Sequence, residues 1–391
     1  MISFEEAISI VLNESGQIPG EEEVYFTDTP GRILARDVIS DTDMPPFDKS
    51  AMDGYACRKQ DITTELDVIE VIPAGTFPTK KISENQCSKI MTGAMIPQGA
   101  DCVLMVEHTE RTGENKIRFT KTETATNICY RGDDVQKGDV VLPKGILIRP
   151  QHIAVMAMAG CTHPMVFPKA KVGILSTGNE IVEPQFLPGL SQIRNSNAYQ
   201  LIAQVINAGA KPDYYGIADD TEEATLQAIS ILSERNDMIL ITGGVSMGDF
   251  DFVPEVIKKA GFDILFRTVA VQPGKPTLFA RKNGKHCFGL PGNPVSAFFQ
   301  FELLVKPLIY KMMGHQYQPL AISMSMGESY HRKKSERRAF IPVLIKNGAV
   351  FPVSYHGSAH IASLTEAQGI LSIAVGITEL KKGEIVDVRP F

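Results

Sequence analysis

The sequence lacks the features of secreted, membrane-spanning and zinc-binding proteins. Glu5 and Glu6 stand near the start, where a signal peptide would have basic residues followed by an apolar stretch. The apolar run 298–310 is interrupted by Glu302 and Lys306, and it is too short to span a membrane. The six cysteines include no C-x-x-C pair, so we expect reduced, buried thiols rather than a zinc site or a disulfide framework. These absences predict a cytoplasmic protein with no membrane partner.

An excess of positive charge and the common nucleotide-binding motifs are also absent. The net charge of -6 argues against a nucleic-acid partner. Neither G-x-G-x-x-G after a strand nor G-x-x-x-x-G-K-[ST] occurs, which disfavours NAD and P-loop nucleotide sites. An anionic small-molecule substrate stays possible, provided that local lysines, helix N-termini or a divalent cation attract it.

The length and composition indicate several globular domains. The chain has 391 residues, of which 43% are apolar and 21% charged, and a single core does not grow to that size. The predicted fold class is multidomain α/β plus β. A helix is expected over residues 2–14, opened by Ser3 with Glu6 as its capping-box partner. Helical periodicity returns at 150–159, which suggests that the two helices belong to one discontinuous unit.

The rest of the chain alternates between β-rich and mixed stretches. Short strand-like runs separated by Gly, Pro and Asn occupy 57–141. Between 169 and 314 apolar runs alternate with helical stretches, which is typical of a parallel sheet with helices on both faces. Asp220, with Glu223 three residues on, is the predicted start of one of these helices. The predicted domains are a discontinuous helical domain (1–44 and 141–168), a β-rich domain (45–140), an α/β domain (169–316) and a compact β domain (317–391).

Three glycine-bearing loops directly follow predicted strands, in the segments 177–180, 242–251 and 290–296. Ligands of parallel sheets bind beyond the carboxyl ends of the strands. Glycine lets backbone N–H groups approach an anion closely, and a following helix adds positive potential. We therefore expect a phosphate or carboxylate ligand at this edge of the sheet.

Three acids and one lysine stand beside these loops. Glu180, Asp219 and Asp251 lie at or just past strand ends, where carboxylates can hold Mg²⁺ against a phosphate. Each can also be an ordinary acid of a helix start; that explanation is preferred for Asp219, and both stay open for the other two. Lys275 lies in the turn 273–276 between two prolines, so its ammonium can be aimed at an anion, although an isolated turn of this kind is usually just exposed.

A series of short motifs then points to one enzyme family. In order they are 48–56 (DKSAMDGYA), 91–94 with 97–101 (MTGA and PQGAD), 131–134 (RGDD), 176–180 (STGNE), 242–246 (TGGVS), 273–276 (PGKP) and 290–294 (LPGNP). In these motifs the chain resembles the molybdopterin molybdenumtransferases, which include the bacterial MoeA proteins and the gephyrin E domain. The S-A-M-D-G-Y-A motif is highly specific, whereas S-T-G and T-G-G-V-S also fit proteins that bind or adenylylate molybdopterin.

The resemblance implies an architecture and a reaction. The expected protein is a homodimer whose chain has a discontinuous helical domain, a β domain with S-A-M-D-G and M-T-G-A, a central α/β molybdopterin-binding domain and a C-terminal β-barrel domain. The active site would lie between the last two domains of one subunit and the S-A-M-D-G domain of the other. The expected substrates are adenylylated molybdopterin and molybdate, the products AMP and molybdenum cofactor, and the cofactor Mg²⁺. Other molybdenum cofactor biosynthesis proteins are possible partners.

The resemblance also assigns residues. For catalysis it implies Asp53, Thr92, Asp134, Glu180, Asp219 and Asp251, with Glu180 and Asp251 supporting the metal. For substrate binding it implies Ser176, Gly243, Gly244, Ser246, Lys275, Pro291, Pro294, Ser296, Arg338 and Ser358, of which Lys275, Ser296, Arg338 and Ser358 would form the molybdate pocket.

Two other functions compete with this one. A molybdopterin adenylyltransferase shares the S-T-G and T-G-G-x-S motifs, but it is usually a single domain of about half this length without S-A-M-D-G. A non-catalytic scaffold of the gephyrin type is the second alternative, although the chain has neither an extra linker nor a low-complexity tail.

Overall fold

The computed structural model describes residues 1–244, 252–354 and 360–391. The chain begins with helix α1 (Phe4–Asn13), and the Ser3 hydroxyl accepts a hydrogen bond from the Glu6 N–H at 3.1 Å. This confirms the predicted helix start, because the cap satisfies an amide that has no partner within the helix. Ala7 and Val11 are fully buried in the core that α1 shares with the α/β elements described below.

A mixed six-stranded sheet forms the β-rich part of the chain. The strands are β1 (Gly54–Cys57), β2 (Glu65–Ile72), β3 (Gln86–Ile90), β4 (Cys102–Met105), β5 (Thr109–Gly113) and β6 (Lys116–Phe119). They lie in the order β4-β1-β3-β2-β6-β5, and β2 and β3 are the one pair of neighbours in this sheet that run parallel. Alternate side chains, among them Tyr55, Leu66 and Leu104, form the core on one face.

Two distant segments then meet around helix α2 (Pro150–Met158). The short strand Val38–Ile39 pairs antiparallel with Val140–Leu142, and Leu34 packs with Met156 in one small core. The predicted association of the segments before and after the β-rich part is therefore present. Helix α1 does not share this core, so the expectation that both helices belong to one unit is corrected. An amphipathic pattern indicates that one face is buried, but it does not indicate against which partner.

The α/β part is built on a six-stranded sheet. Its elements are β7 (Lys171–Thr177), α3 (Ser196–Asn207), β8 (Lys211–Ala218), α4 (Glu222–Arg235), β9 (Met238–Thr242), α5 (Val253–Lys259), β10 (Asp263–Phe266), β11 (Leu278–Lys282), β12 (Lys285–Leu290), α6 (Pro294–Gln300) and α7 (Lys306–Met312), with a π-helical turn at Phe301–Val305. The strands lie in the order β8-β7-β9-β12-β11-β10. The first four of these strands run parallel, as predicted, whereas β12, β11 and β10 pair antiparallel.

Helices cover both faces of this sheet. Helices α3, α6 and α7 contribute to the core that also contains Ala7 and Val11, and α4 and α5 form a second core on the opposite face. Helix α4 begins one residue later than predicted: its cap is Thr221, whose hydroxyl accepts from the Ala224 N–H at 3.2 Å, rather than Asp220.

The C-terminal segment closes into a small barrel. Its strands are β13 (Ile322–Met326), β14 (Arg338–Lys346), β15 (Ala349–Pro352), β16 (Gly369–Ile373) and β17 (Ile385–Pro390). Pairing runs β14-β15-β13-β17-β16 and returns from β16 to β14, which closes the ring. Closure leaves no open edge in the ring. The multidomain α/β plus β fold class is confirmed.

The cysteines and the lengths of the helices can be compared with the sequence analysis. All six cysteines are free thiols and four of them are buried, and burial raises the pKa of Cys87 to about 12. In the described part of the chain, the helices are too short or too polar to cross a membrane.

Gly54 of the S-A-M-D-G motif provides a test of the β-rich sheet. A Cβ atom at this position would lie 1.9 Å from the Leu104 carbonyl oxygen. Gly54→Ala should therefore destabilise the sheet by about 2–3 kcal/mol, because the backbone of β4 must move. The matched control is Gly113→Ala in the same sheet, where the new Cβ would make an ordinary contact at 3.5 Å. Equal shifts of the calorimetric transition in the two variants would contradict this account.

Candidate active site

Backbone hydrogen bonds join two motifs of the β-rich part. The Ser50 N–H donates to the Ala94 carbonyl at 2.9 Å, and the Gly93 N–H donates to the Ser50 carbonyl at 2.8 Å. Gly93 has a φ of +82°, a conformation that glycine adopts at the lowest cost. The S-A-M-D-G and M-T-G-A loops therefore have a fixed position relative to each other.

Asp53 and Thr92, both predicted to be catalytic, are in contact. One carboxylate oxygen of Asp53 accepts from the Thr92 N–H at 2.6 Å and from the Thr92 hydroxyl at 2.8 Å. The backbone N–H of Thr92, followed by its hydroxyl, lowers the pKa of Asp53 because both stabilise the ionised form. The exposed Asp53 side chain is thus held as an anion at neutral pH.

The R-G-D-D loop lies beside the same motif. The Arg131 N–H donates to the Asp48 carboxylate at 2.8 Å, and the Arg131 guanidinium donates to Asp43 at 2.5 Å. Asp134 and Lys49 line one cavity of about 580 Å³. Three of the motifs are therefore neighbours within one chain.

A second cavity, of about 340 Å³, lies at the carboxyl ends of the parallel strands. Glu180 follows β7, Gly243 follows β9 and Pro294 opens α6 just after β12, and all three line this cavity. Ile361 of the C-terminal segment also lines it, so the cavity is bordered by both parts of the chain. We call it the strand-end cavity.

The T-G-G loop after β9 lies very close to two other segments of the same chain. A Cβ at Gly243 would lie 2.3 Å from the Thr177 carbonyl, and one at Gly244 would lie 2.7 Å from a Val253 methyl. Both glycines have positive φ, +97° and +60°. Only glycine fits these positions without a shift, which leaves the backbone accessible to a ligand.

A buried hydrogen-bonded chain supports the wall of the strand-end cavity. The hydroxyl of Ser176, which is fully buried, donates to Asn195 at 3.2 Å, and the Asn195 amide donates to the Tyr214 hydroxyl at 2.9 Å. Tyr214 in turn donates to Glu183 at 2.7 Å, and burial together with this carboxylate raises the pKa of Tyr214. Ser176 therefore acts on the cavity through Asn195, which lines it.

The sequence reasoning missed Asn195 and its neighbour Asn197. The Asn197 amide donates to the Thr242 hydroxyl at 2.9 Å and to the Gly292 carbonyl at 2.8 Å, so it ties α3 to two strand-end loops. The available signal was the N-S-N sequence before a helical stretch, since Asn195 caps α3 by accepting from the Ala198 N–H.

Four other predicted residues do not line the strand-end cavity. Asp219 is in the turn before α4, where its carbonyl accepts from the Thr221 N–H. Pro291 and Ser296 are buried. Lys275 is exposed, and its turn is anchored by Gln300, which donates to the Pro273 carbonyl at 3.1 Å.

Arg338 is not brought to this cavity. Its guanidinium pairs with Glu5 at 2.7 Å and donates to the Ser372 hydroxyl at 3.0 Å, beside a separate apolar cavity next to α1. The adjacent Arg337 donates to the Val271 carbonyl, in the strand that leads to the Lys275 turn. The resemblance assigned Arg338 to the molybdate pocket, but it did not determine the direction of the side chain.

Three predicted residues, Ser246, Asp251 and Ser358, lie outside the described residues. Among those described, no group of three or more His, Cys, Asp or Glu side chains is arranged to hold a metal ion. Of the predicted metal-supporting pair, Glu180 alone is among the described residues.

Comparison with known proteins places the chain. Residues 2–160 match the model of the MoeA N-terminal region (domain I and II), 173–311 that of a probable molybdopterin binding domain, and 328–391 that of the MoeA C-terminal region (domain IV). The molybdopterin molybdenumtransferase of Staphylococcus epidermidis is 35% identical over 403 residues, covering 99% of this chain and 95% of the relative. The chain belongs to the molybdopterin molybdenumtransferase family.

Two further relatives agree. The molybdopterin molybdenumtransferase of Bacillus subtilis is 35% identical over 99% of this chain and 93% of its own length. The crystal structure of a molybdopterin biosynthesis MoeA protein from Pyrococcus horikoshii superimposes with a TM-score of 0.87 at 30% identity, over 100% of both chains. The family assignment therefore rests on the whole length and not on the α/β part alone.

The contact between Asp53 and Thr92 predicts a titration behaviour. Thr92→Val should raise the pKa of Asp53 part of the way to its ordinary value, because the hydroxyl donor is lost and the backbone donor stays. NMR of the side-chain carboxyl carbons of carbon-13-labelled aspartates measures the pKa of Asp53 directly. Thr120→Val, which removes a hydroxyl bonded to a backbone carbonyl elsewhere in the β-rich part, is the control. An Asp53 pKa unchanged by Thr92→Val would show that the hydroxyl contributes nothing.

Proposed function

We propose that this protein inserts molybdenum from molybdate into molybdopterin in the cytoplasm. Adenylylated molybdopterin is the second substrate, and AMP and molybdenum cofactor are the products. The observation that carries the proposal is the strand-end cavity, which lies in the region that matches a molybdopterin-binding model. Its backbone and side-chain donors suit a ligand that carries both phosphate and hydrogen-bonding groups.

The walls of the strand-end cavity suggest how the substrate is held. The close backbone at Gly243 and the start of α3 offer N–H groups to the phosphates. Asn195 and Asn197 are fixed by their own hydrogen bonds, so they orient the bound molecule at a low entropy cost. Lys275 supplies a fixed cation for molybdate, which is a tetrahedral dianion.

Magnesium fits the donors of this cavity. Glu180 offers a carboxylate and Thr242 a hydroxyl, and hard oxygen atoms of this kind are the ligands that Mg²⁺ prefers together with phosphate and water. In this proposal Glu180 and Asp251 would hold the ion. When bound, the ion neutralises charge on the phosphates during release of AMP.

The proposal includes a homodimer with shared active sites. Asp53, Thr92 and Asp134 belong to the β-rich part, and the cavity beside Asp134 shares no lining residue with the strand-end cavity. Leu187 and Leu190 are almost fully exposed in the loop that leads to Ile193, which lines the strand-end cavity. An apolar surface next to a cavity is typical of an interface. The β-rich part of a second copy is therefore the proposed cover.

The reaction can be tested together with Lys275. AMP release from adenylylated molybdopterin should require molybdate, and Lys275→Ala should raise the half-saturating molybdate concentration about ten- to a hundredfold, since a charge-assisted contact is lost. Lys121→Ala, at another exposed lysine, is the control. If Lys275→Ala weakened the binding of molybdate and of adenylylated molybdopterin equally, Lys275 would be assigned to the pyrophosphate instead. Consumption of ATP without molybdate-dependent AMP release would indicate an adenylyltransferase instead.

The shared site can be tested by mixing two inactive variants. Asp53→Ala and Glu180→Ala should each be inactive alone, because each removes one half of every site. Refolded together in equal amounts, they should recover about a quarter of the wild-type activity, since half of the dimers are mixed and each of these keeps one intact site. Mixed dimers, isolated by two different tags and still inactive, would exclude a site that is built across the interface.

A further inference from the structure

A third cavity, of about 570 Å³, lies away from the residues assigned above. One wall is the turn and first residues of α2, from Lys144 to His152, and the other is the end of α7, from Gly314 to Gln316. It shares no lining residue with either the strand-end cavity or the cavity beside Asp134. We call it the junction cavity, because it lies between two separately packed parts of the chain.

The two walls of the junction cavity are held by specific contacts. A ring nitrogen of His315, Nδ1, donates to the Gly145 carbonyl at 2.7 Å, and the Gly145 N–H donates to the Leu34 carbonyl at 2.8 Å. A Cβ at Gly314 would lie 2.8 Å from both the Phe167 ring and the Gln17 amide, so only glycine allows this approach. The cavity is thus part of a packed junction and not an accidental surface hollow.

The ionisable side chains that line the junction cavity are all basic. Lys144, Arg149, His152 and His315 line it, and none of the described lining residues is an aspartate or a glutamate. In the described ranges of the chain, no carboxylate forms an ion pair with Lys144 or Arg149. The nearby Asp37 carboxylate accepts from the Lys144 backbone N–H at 2.7 Å and does not form an ion pair with the ammonium. A chain with a net charge of -6 therefore places several basic side chains at one concave place, which attracts anions.

The hydrogen bonds of the two histidines define what they offer. His152 accepts from the Arg149 N–H through Nδ1 at 3.1 Å, so the neutral ring carries its proton on Nε2 and can donate it. His315 uses its Nδ1 proton for the Gly145 carbonyl, which leaves Nε2 to become a donor when the ring is protonated. The Lys144 ammonium lies 5.3 Å from the centre of the Phe167 ring, which orders its stem at the edge of the cavity.

We propose that the junction cavity is a second anion site, which binds a phosphate monoester or inorganic phosphate dianion. Two permanent cations and two imidazole rings match the charge and the several acceptor oxygens of such a group. The volume exceeds that of inorganic phosphate alone and lies in the range of small-molecule sites. A bound dianion contacts both walls and so holds the α2 segment against the end of α7.

Isothermal titration with AMP and with inorganic phosphate, at constant ionic strength set by chloride, tests this site. Arg149→Gln should weaken the binding at least tenfold, and imidazole NMR signals of His152 and His315 should shift on titration of the wild type. Arg111→Gln, at an exposed arginine of β5, is the matched control and should bind like the wild type. Tighter binding of AMP than of phosphate would identify a monoester site, and equal binding would identify a phosphate site.

The strand-end cavity can also bind these probes, so Glu180→Gln is titrated in parallel. Binding that is weakened by Arg149→Gln and kept in Glu180→Gln supports the junction site. The proposal is overturned if Arg149→Gln binds normally at an unchanged melting temperature, if Arg111→Gln weakens the binding equally, or if neither probe shifts the two histidine signals at millimolar concentration. None of these outcomes depends on the transferase activity, so the two proposals fail separately.

Discussion

The register of the parallel sheet fixes where each loop of the strand-end cavity begins. Ser176 of β7 lies beside Thr242 of β9, and Thr242 lies beside Leu290 of β12. Because parallel strands run in the same direction, these three strands end side by side at the same edge of the sheet. The first residues of the loops that follow them therefore face the same space. A slip of one residue would also turn buried Leu175 and Ile241 to the opposite face. The packing of the core therefore determines the geometry of the site.

Polar groups below the cavity depend on the same register. The chain from Ser176 through Asn195 and Tyr214 to Glu183 satisfies most of its members, and a satisfied network of this kind is rigid. The side-chain amide oxygen of Asn197, by contrast, is buried without a hydrogen-bond partner in the part of the chain that the structure describes. A buried acceptor of this kind is available to a water molecule or a ligand. The wall beneath the cavity thus combines a rigid support with one available acceptor.

Local patterns in the sequence were sufficient to predict most helices and strands. They were not sufficient to predict the long-range contacts between side chains. The strand that was predicted to precede the loop at 177–180 is β7, because a continuous apolar run bounded by Lys171 and Gly178 has few other solutions. The side-chain contact of Arg338 with Glu5 joins the C-terminal barrel to helix α1, and no local pattern encodes it. Asn195 had a local signal as the cap of α3, but its contacts with Ser176 and Tyr214 come from separate segments and could not be predicted. The antiparallel edge did have a local signal, the N-G turn at Asn283, whose positive φ matches a tight hairpin.

The negative charges in both halves of the proposed active site explain why the proposal includes a metal ion. Asp53 is held as an anion by Thr92, and Glu180 lines the strand-end cavity. In the proposed dimer both carboxylates face the phosphates of the substrate. Like unit charges 4 Å apart repel by about 4 kcal/mol at an effective dielectric constant of 20, so carboxylates alone would expel the substrate. A divalent cation held at Glu180, as proposed above, would offset this repulsion. In the same proposal Lys275 would attract the separate molybdate dianion.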